Sequence, residues 1–94
     1  MTWSIVARDP QDGSLGIAVA SRFFAVGALV PWVRSGTGAI ASQAMLNPML
    51  GPAGLDLMDE GEDAEAVLRR LIANDAGSAA RQVHLVDGKG RTAA

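Results

Sequence analysis

Two short apolar–polar runs open the chain, and the turn between them limits what the remainder can become. Thr2 is followed by Trp3-Ser4-Ile5-Val6-Ala7-Arg8, then by Asp9-Pro10-Gln11-Asp12-Gly13, then by small residues ending Ala18-Val19-Ala20-Ser21-Arg22. Asp-Gly between alternating runs marks a hairpin, because glycine takes the positive φ that tight turns need. Strands are therefore expected over Thr2–Arg8 and Leu15–Ser21. In the second, Leu15, Ile17 and Val19 share one face, and Gly16, Ala18 and Ala20 the other. Neither face is charged. A strand apolar on both sides is expected to be covered on both, as a central strand of a layered fold.

The residue that begins this hairpin also has chemistry. Met before Thr is a junction that aminopeptidases process. Removing Met1 leaves Thr2 with a hydroxyl and a free α-amine, a nucleophile and its base on one residue.

Further strands are expected at Val30–Arg34 and Ala39–Gln43, with Ser35-Gly36-Thr37-Gly38 as the turn between them. Asn47-Pro48 and Gly51-Pro52 then interrupt the chain, since a residue before proline is biased away from helix. Helices are expected over Ala53–Asp59 and over Glu62–Asn74, where Val67, Leu68, Leu71 and Ile72 line one face. Glu62, Asp63 and Glu65 suit the positive end of that helix, and Arg69 and Arg70 lie towards the other. Gly77 is a stop, Gln82–Val86 a further strand, and Asp87-Gly88-Lys89-Gly90 a turn. The last hairpin thus has one full arm and a short second one. Strands grouped before helices predict an α+β layered fold with antiparallel sheet. An arm missing from the final hairpin predicts unpaired strand edge, apolar surface without cover and an incomplete fold.

Composition narrows the function. At 94 residues the chain is one small domain, 49% hydrophobic but only 4% aromatic, so its packing relies on small side chains. Eight basic and ten acidic residues provide no basic field for nucleic acid. The absence of cysteine removes disulfides, thiolate metal sites and Cys nucleophiles, and fits a reducing cytoplasm. No basic start precedes an apolar stretch as in a signal peptide, and Phe23 to Val33 is too short for a bilayer and broken by Gly27 and Pro31. A cytoplasmic chain without membrane or nucleic-acid partners is expected.

Several blocks in fixed order resemble the bacterial domain of unknown function 1028 family. They are Thr2–Pro10, Gly16–Gly27, Val30-Pro31-Trp32, Ser42-Gln43-Ala44, Asn47-Pro48, Gly51–Leu55 and Arg81-Gln82-Val83. Members of that family are similar to N-terminal nucleophile (Ntn) hydrolases, four-layer αββα sandwiches that include proteasome β-subunits. Family members are about twice this length or longer, so the resemblance implies the N-terminal portion of such a sandwich over residues 1–94. It further implies an amidohydrolase acting on a small amide or peptide-like substrate, with Thr2 as nucleophile. Backbone N–H groups around Gln43 and Ala44 would hold the oxyanion. Ser21 and Arg22 would orient the amine or a substrate carboxylate. One departure stands out: proteasome-type sites use a lysine from the third strand, and the only lysine here is Lys89, in a late turn.

Two other readings are open. The chain is a non-catalytic Ntn-like scaffold that oligomerises or binds a metabolite, or it is the N-terminal product of a precursor cleaved after Ala94. A homo-oligomer or a complementary C-terminal segment is the expected partner. No metal or cofactor is expected. His84 has no Asp, Glu or His partner at ligand spacing and reads as a satisfied or solvent-facing sheet histidine. Gly36-Thr37-Gly38 lacks the helix and lysine of a phosphate loop. Trp32 reads as core or interface packing.

Overall fold

The computed structural model describes residues 1–45 and 47–94. Among these residues, six strands and two α-helices follow one another as β1 Thr2–Arg8, β2 Leu15–Ser21, β3 Pro31–Arg34, β4 Gly38–Ala44, α1 Leu50–Asp59, α2 Ala64–Ala73, β5 Arg81–Asp87 and β6 Thr92–Ala93. The fold is α+β with antiparallel sheets. β1 and β2 form a two-stranded sheet with Thr2 opposite Ser21 and Arg8 opposite Leu15. The second sheet has the order β3-β4-β5-β6, with Gln43 opposite Gln82 and Ala41 opposite His84. Gly13, at φ 77°, closes the first hairpin, where its N–H donates to Asp9 O at 2.8 Å.

β4 is the centre. Every residue from Gly38 to Gln43 is buried, because the strand is covered on both faces. On one side Ile40 and Leu85 pack against Leu50, Leu55 and Met58 of α1 and Val67, Leu68 and Leu71 of α2, with Trp32 and Val83 at the margin. α1 lies close to the sheet because a Cβ at Gly54 would overlap Ile40 Cδ1, and one at Gly51 would overlap the Trp32 ring. The Trp32 ring is anchored by Nε1 donating to Leu29 O at 3.1 Å. On the other side β4 and β5 face the hairpin.

The structure changes several expected boundaries. α1 begins at Leu50, not Ala53: Pro52 falls in the first helical turn, where a missing N–H breaks no helical hydrogen bond. α2 begins at Ala64 because Asp63 is its N-cap and accepts the Ala66 N–H at 2.9 Å, and it ends at Ala73, before Gly77. Ile72 is 48% exposed and leaves the core face to Val67, Leu68 and Leu71. The short last arm is β6, which pairs with β5.

The largest correction concerns β2. It is not a strand covered on both faces: Gly16, Ala18 and Ala20 are exposed, as are Trp3 at 70% and Ile5 at 62% on β1. The inner residues Thr2, Ser4, Val6, Ile17, Val19 and Ser21 are half-buried against the second sheet. Within the described residues nothing stacks on the outer face of this hairpin. The expected apolar surface without cover is therefore present, on the first hairpin and not at the last. Among the described residues, no helix is long and apolar enough to cross a membrane.

Candidate functional site

Between the Thr2 end of the hairpin and the ends of β4 and β5 lies a cleft of about 1240 Å³. Its lining includes Thr2, Ser21, Arg22, Gln43 and Ala44, all five residues singled out in the sequence, and also Ser4, Gln82 and His84. Alternation builds this arrangement. Even-numbered residues of β1 and odd-numbered residues of β2 turn inward, as do Gln43 on β4 and Gln82 and His84 on β5.

The polar groups are joined. Thr2 Oγ1 lies 2.9 Å from Ser21 Oγ. The Gln43 side chain, 7% exposed, donates from Nε2 to Thr2 O at 3.0 Å and to Gln82 Oε1 at 2.8 Å. Its Oε1 accepts from Ser4 Oγ at 2.6 Å, and the same hydroxyl is 2.7 Å from His84 Nε2. Ser21 Oγ also bonds Met1 O at 3.3 Å and accepts the Phe23 N–H at 3.1 Å, which fixes the turn leaving β2. Met1 is 92% exposed. Ala44, at the end of β4, has φ 70° without being glycine, a strained conformation worth on the order of 1 kcal/mol that sits at the cleft wall.

Charge enters from the rim. Arg22 is exposed. Arg81 is committed elsewhere: Nε donates to Asp75 Oδ2 at 2.5 Å, and NH1 to Met45 O at 2.5 Å. The hydrogen bond from Arg81 to Asp75 holds the Asp75 carboxyl below its ordinary value. Burial lowers the His84 pKa from its ordinary value of 6.5 and so favours the neutral ring. Lys89 is exposed in the β5–β6 turn and does not line the cleft. Among the described residues, no three His, Asp or Glu side chains gather as a metal site.

Three members of this network, Ser4, Gln82 and His84, were not picked out as site residues in the sequence. Their signal was available only jointly, as polar side chains on the inward parity of strands otherwise apolar.

A crystal structure of protein SPO2555 from Silicibacter pomeroyi, assigned to DUF1028, superposes with a TM-score of 0.93 at 32% sequence identity, over 98% of this chain and 43% of that one. The chain thus spans less than half the length of that protein. No curated protein matches it. The model of the family of unknown function DUF1028 matches residues 2–94. Thr2, Ser21, Arg22, Gln43 and Ala44 all fall inside that match, and this chain belongs to the DUF1028 family.

Proposed function

We propose that the cleft is the site of an Ntn-type amide hydrolase in which Thr2, exposed as the first residue by removal of Met1, is the nucleophile. The observation that carries this reading is the position of Thr2: it begins a strand, lies at the cleft, and has its hydroxyl 2.9 Å from Ser21 Oγ and its carbonyl held by Gln43.

In this reading Thr2 Oγ attacks the carbonyl carbon of a small amide, and the Thr2 α-amine takes the hydroxyl proton. The C–O bond forms as the carbonyl π pair moves to oxygen, and backbone N–H groups near Gln43 and Ala44 stabilise that charge. Collapse breaks the C–N bond, and the amine leaves with the proton that the α-amine carries. Water then hydrolyses the Thr2 ester by the same steps and restores the hydroxyl. Ser21 orients the nucleophile, and Arg22 faces an anionic end of the substrate. The same reading includes the four-layer αββα sandwich, in which further C-terminal sequence or a second copy covers the outer face bearing Trp3 and Ile5.

The position of Lys89 supports a second reading. With no lysine at the cleft, the Ntn-like scaffold binds a metabolite there without turning it over. Intact mass and amide turnover separate the two. The hydrolase reading expects active protein to lack Met1, Thr2→Ala to abolish turnover while remaining folded, and Thr2→Ser to retain a measurable rate. Active protein that keeps Met1 overturns it.

A further inference from the structure

Ser4 and His84 stand 80 positions apart in sequence and 2.7 Å apart in space, the pairing expected of a serine nucleophile and its base. The hydrogen-bond order around them excludes that role for the resting site. Thr2 O is a backbone carbonyl and can only accept, so the amide nitrogen of Gln43 is the end that faces it. The Gln43 oxygen therefore faces Ser4, and at 2.6 Å two oxygens need a proton between them. Gln43 Oε1 has none, so the single hydroxyl proton of Ser4 is committed to it. His84 Nε2, next to the same Ser4 oxygen, must then supply its own proton.

We propose that His84 is a positioning residue: its Nε2–H donates to Ser4, Ser4 donates to Gln43, and Gln43 holds the Thr2 carbonyl at the cleft. The relay runs from β5 through β1 to β4 and back to the first residue of β1. It ties the start of the chain to the second sheet, where no ladder hydrogen bond joins the two sheets. A neutral imidazole serves, because the ring acts through a donor and not through charge. Gln82 Oε1 takes the second Gln43 amide proton and closes the order, leaving the Gln43 amide no alternative orientation. The importance of the relay for catalysis rests on Thr2 being the nucleophile; the order of donors does not.

The test is nitrogen NMR of the sole histidine in the 94-residue protein at neutral pH, which distinguishes the protonated ring nitrogen from the bare one. The expected result is one tautomer, with the proton on Nε2 and Nδ1 bare. Ser4→Ala should return the ring towards a mixture of tautomers and speed exchange of the Gln43 side-chain amide protons about tenfold, the loss of one buried hydrogen bond. Ser4→Thr, which keeps the hydroxyl, should restore both signals. In protein that turns over an amide, His84→Gln retains a donor and should preserve more of kcat than His84→Phe, with KM little changed. A proton found on Nδ1 in the unaltered protein overturns the relay, since Ser4 would then donate to the imidazole as a nucleophile does to its base. That outcome leaves the role of Thr2 untouched, whereas an inactive relay-competent protein counts against Thr2 alone.

Discussion

On its helix side the second sheet presents Ile40, Val83 and Leu85 to Leu55, Val67 and Leu71; on its hairpin side, at the Thr2 end, it presents Gln43, Gln82 and His84 to Thr2 and Ser4. Both contacts are made by the same two strands, one residue out of phase. The first is specified by volume: apolar side chains fill it, and glycines at 51 and 54 let the helix approach. The second is specified by direction, because the Thr2 carbonyl decides which end of Gln43 donates, and that decides the bonds to Ser4 and His84. Packing tolerates chemically similar side chains of equal size. A polar seam tolerates few, since removing one partner leaves the next buried and unpaired. The chain start lies on the directional side, and the cleft runs round the end of the sheet from there, so that Leu68, Leu71 and Val83 line it together with Thr2, Gln43 and His84.

The contrast can be broken most severely at Ile40. It is fully buried, and Ile40→Ala should cost about 2–5 kcal/mol through lost transfer energy and a residual cavity, read as a lower urea midpoint. Gln43→Ala should cost about 1–3 kcal/mol, because the Thr2 carbonyl and Ser4 hydroxyl lose their partner. Unlike Ile40→Ala, it should also disorder the first residues of β1 in NMR spectra. If the two variants show the same pattern of local change, the distinction between the faces fails.

A smaller effect follows from His84, whose folded pKa lies below 6.5 because of burial. Well above pH 6.5 neither the folded nor the unfolded chain carries the proton, and this residue adds no slope. As pH falls below 6.5 the unfolded chain takes up the proton first, so stability falls until the folded pKa is reached. Asp59, Asp75 and Asp87 contribute only in more acidic solution. Hydrogen bonds from Thr37 and Arg34 hold the first below 3.8, and Arg81 the second. For Asp87, burial works upward but is outweighed by Arg91 and by the backbone N–H groups of Arg91 and Lys89. Urea midpoints compared between pH 6.5 and pH 5 should decline in the unaltered protein and less so in His84→Gln. The smallest change is expected on the outer face. Trp3→Ser should alter the stability of the 94-residue chain by less than about 0.5 kcal/mol, since the ring is 70% exposed. A large loss there would show that this face is covered in solution.

Much of this architecture was legible beforehand, for particular reasons. β1 and β2 match their expected spans because alternation and Asp12-Gly13 are local signals. The start of α1 was not legible, since Gly51-Pro52 reads as a break whether proline ends a helix or opens one. Nor was the exposure of β2, because small apolar residues look the same whether a layer covers them or not. For the cleft, Thr2 was drawn first from its place behind Met1, and Ser21, Arg22, Gln43 and Ala44 from the resemblance to a family; the structure brings all five to one place. His84 looked bland because no partner stands near it in the chain; its partner is Ser4, 80 residues away.

By itself, then, the sequence determined the elements and their parity: where strands turn, where the helix of Val67 and Leu71 lies, and which side chains share a face. These follow from periodicity, a property of neighbouring residues. Only the tertiary structure decided what each face meets: helices on one side of β4, the hairpin on the other, and nothing over Trp3 and Ile5 within the described chain. It also decided the direction of the hydrogen bonds that hold Thr2. That direction depends on which atom of Gln43 faces a backbone carbonyl 41 residues away, and no local pattern encodes it.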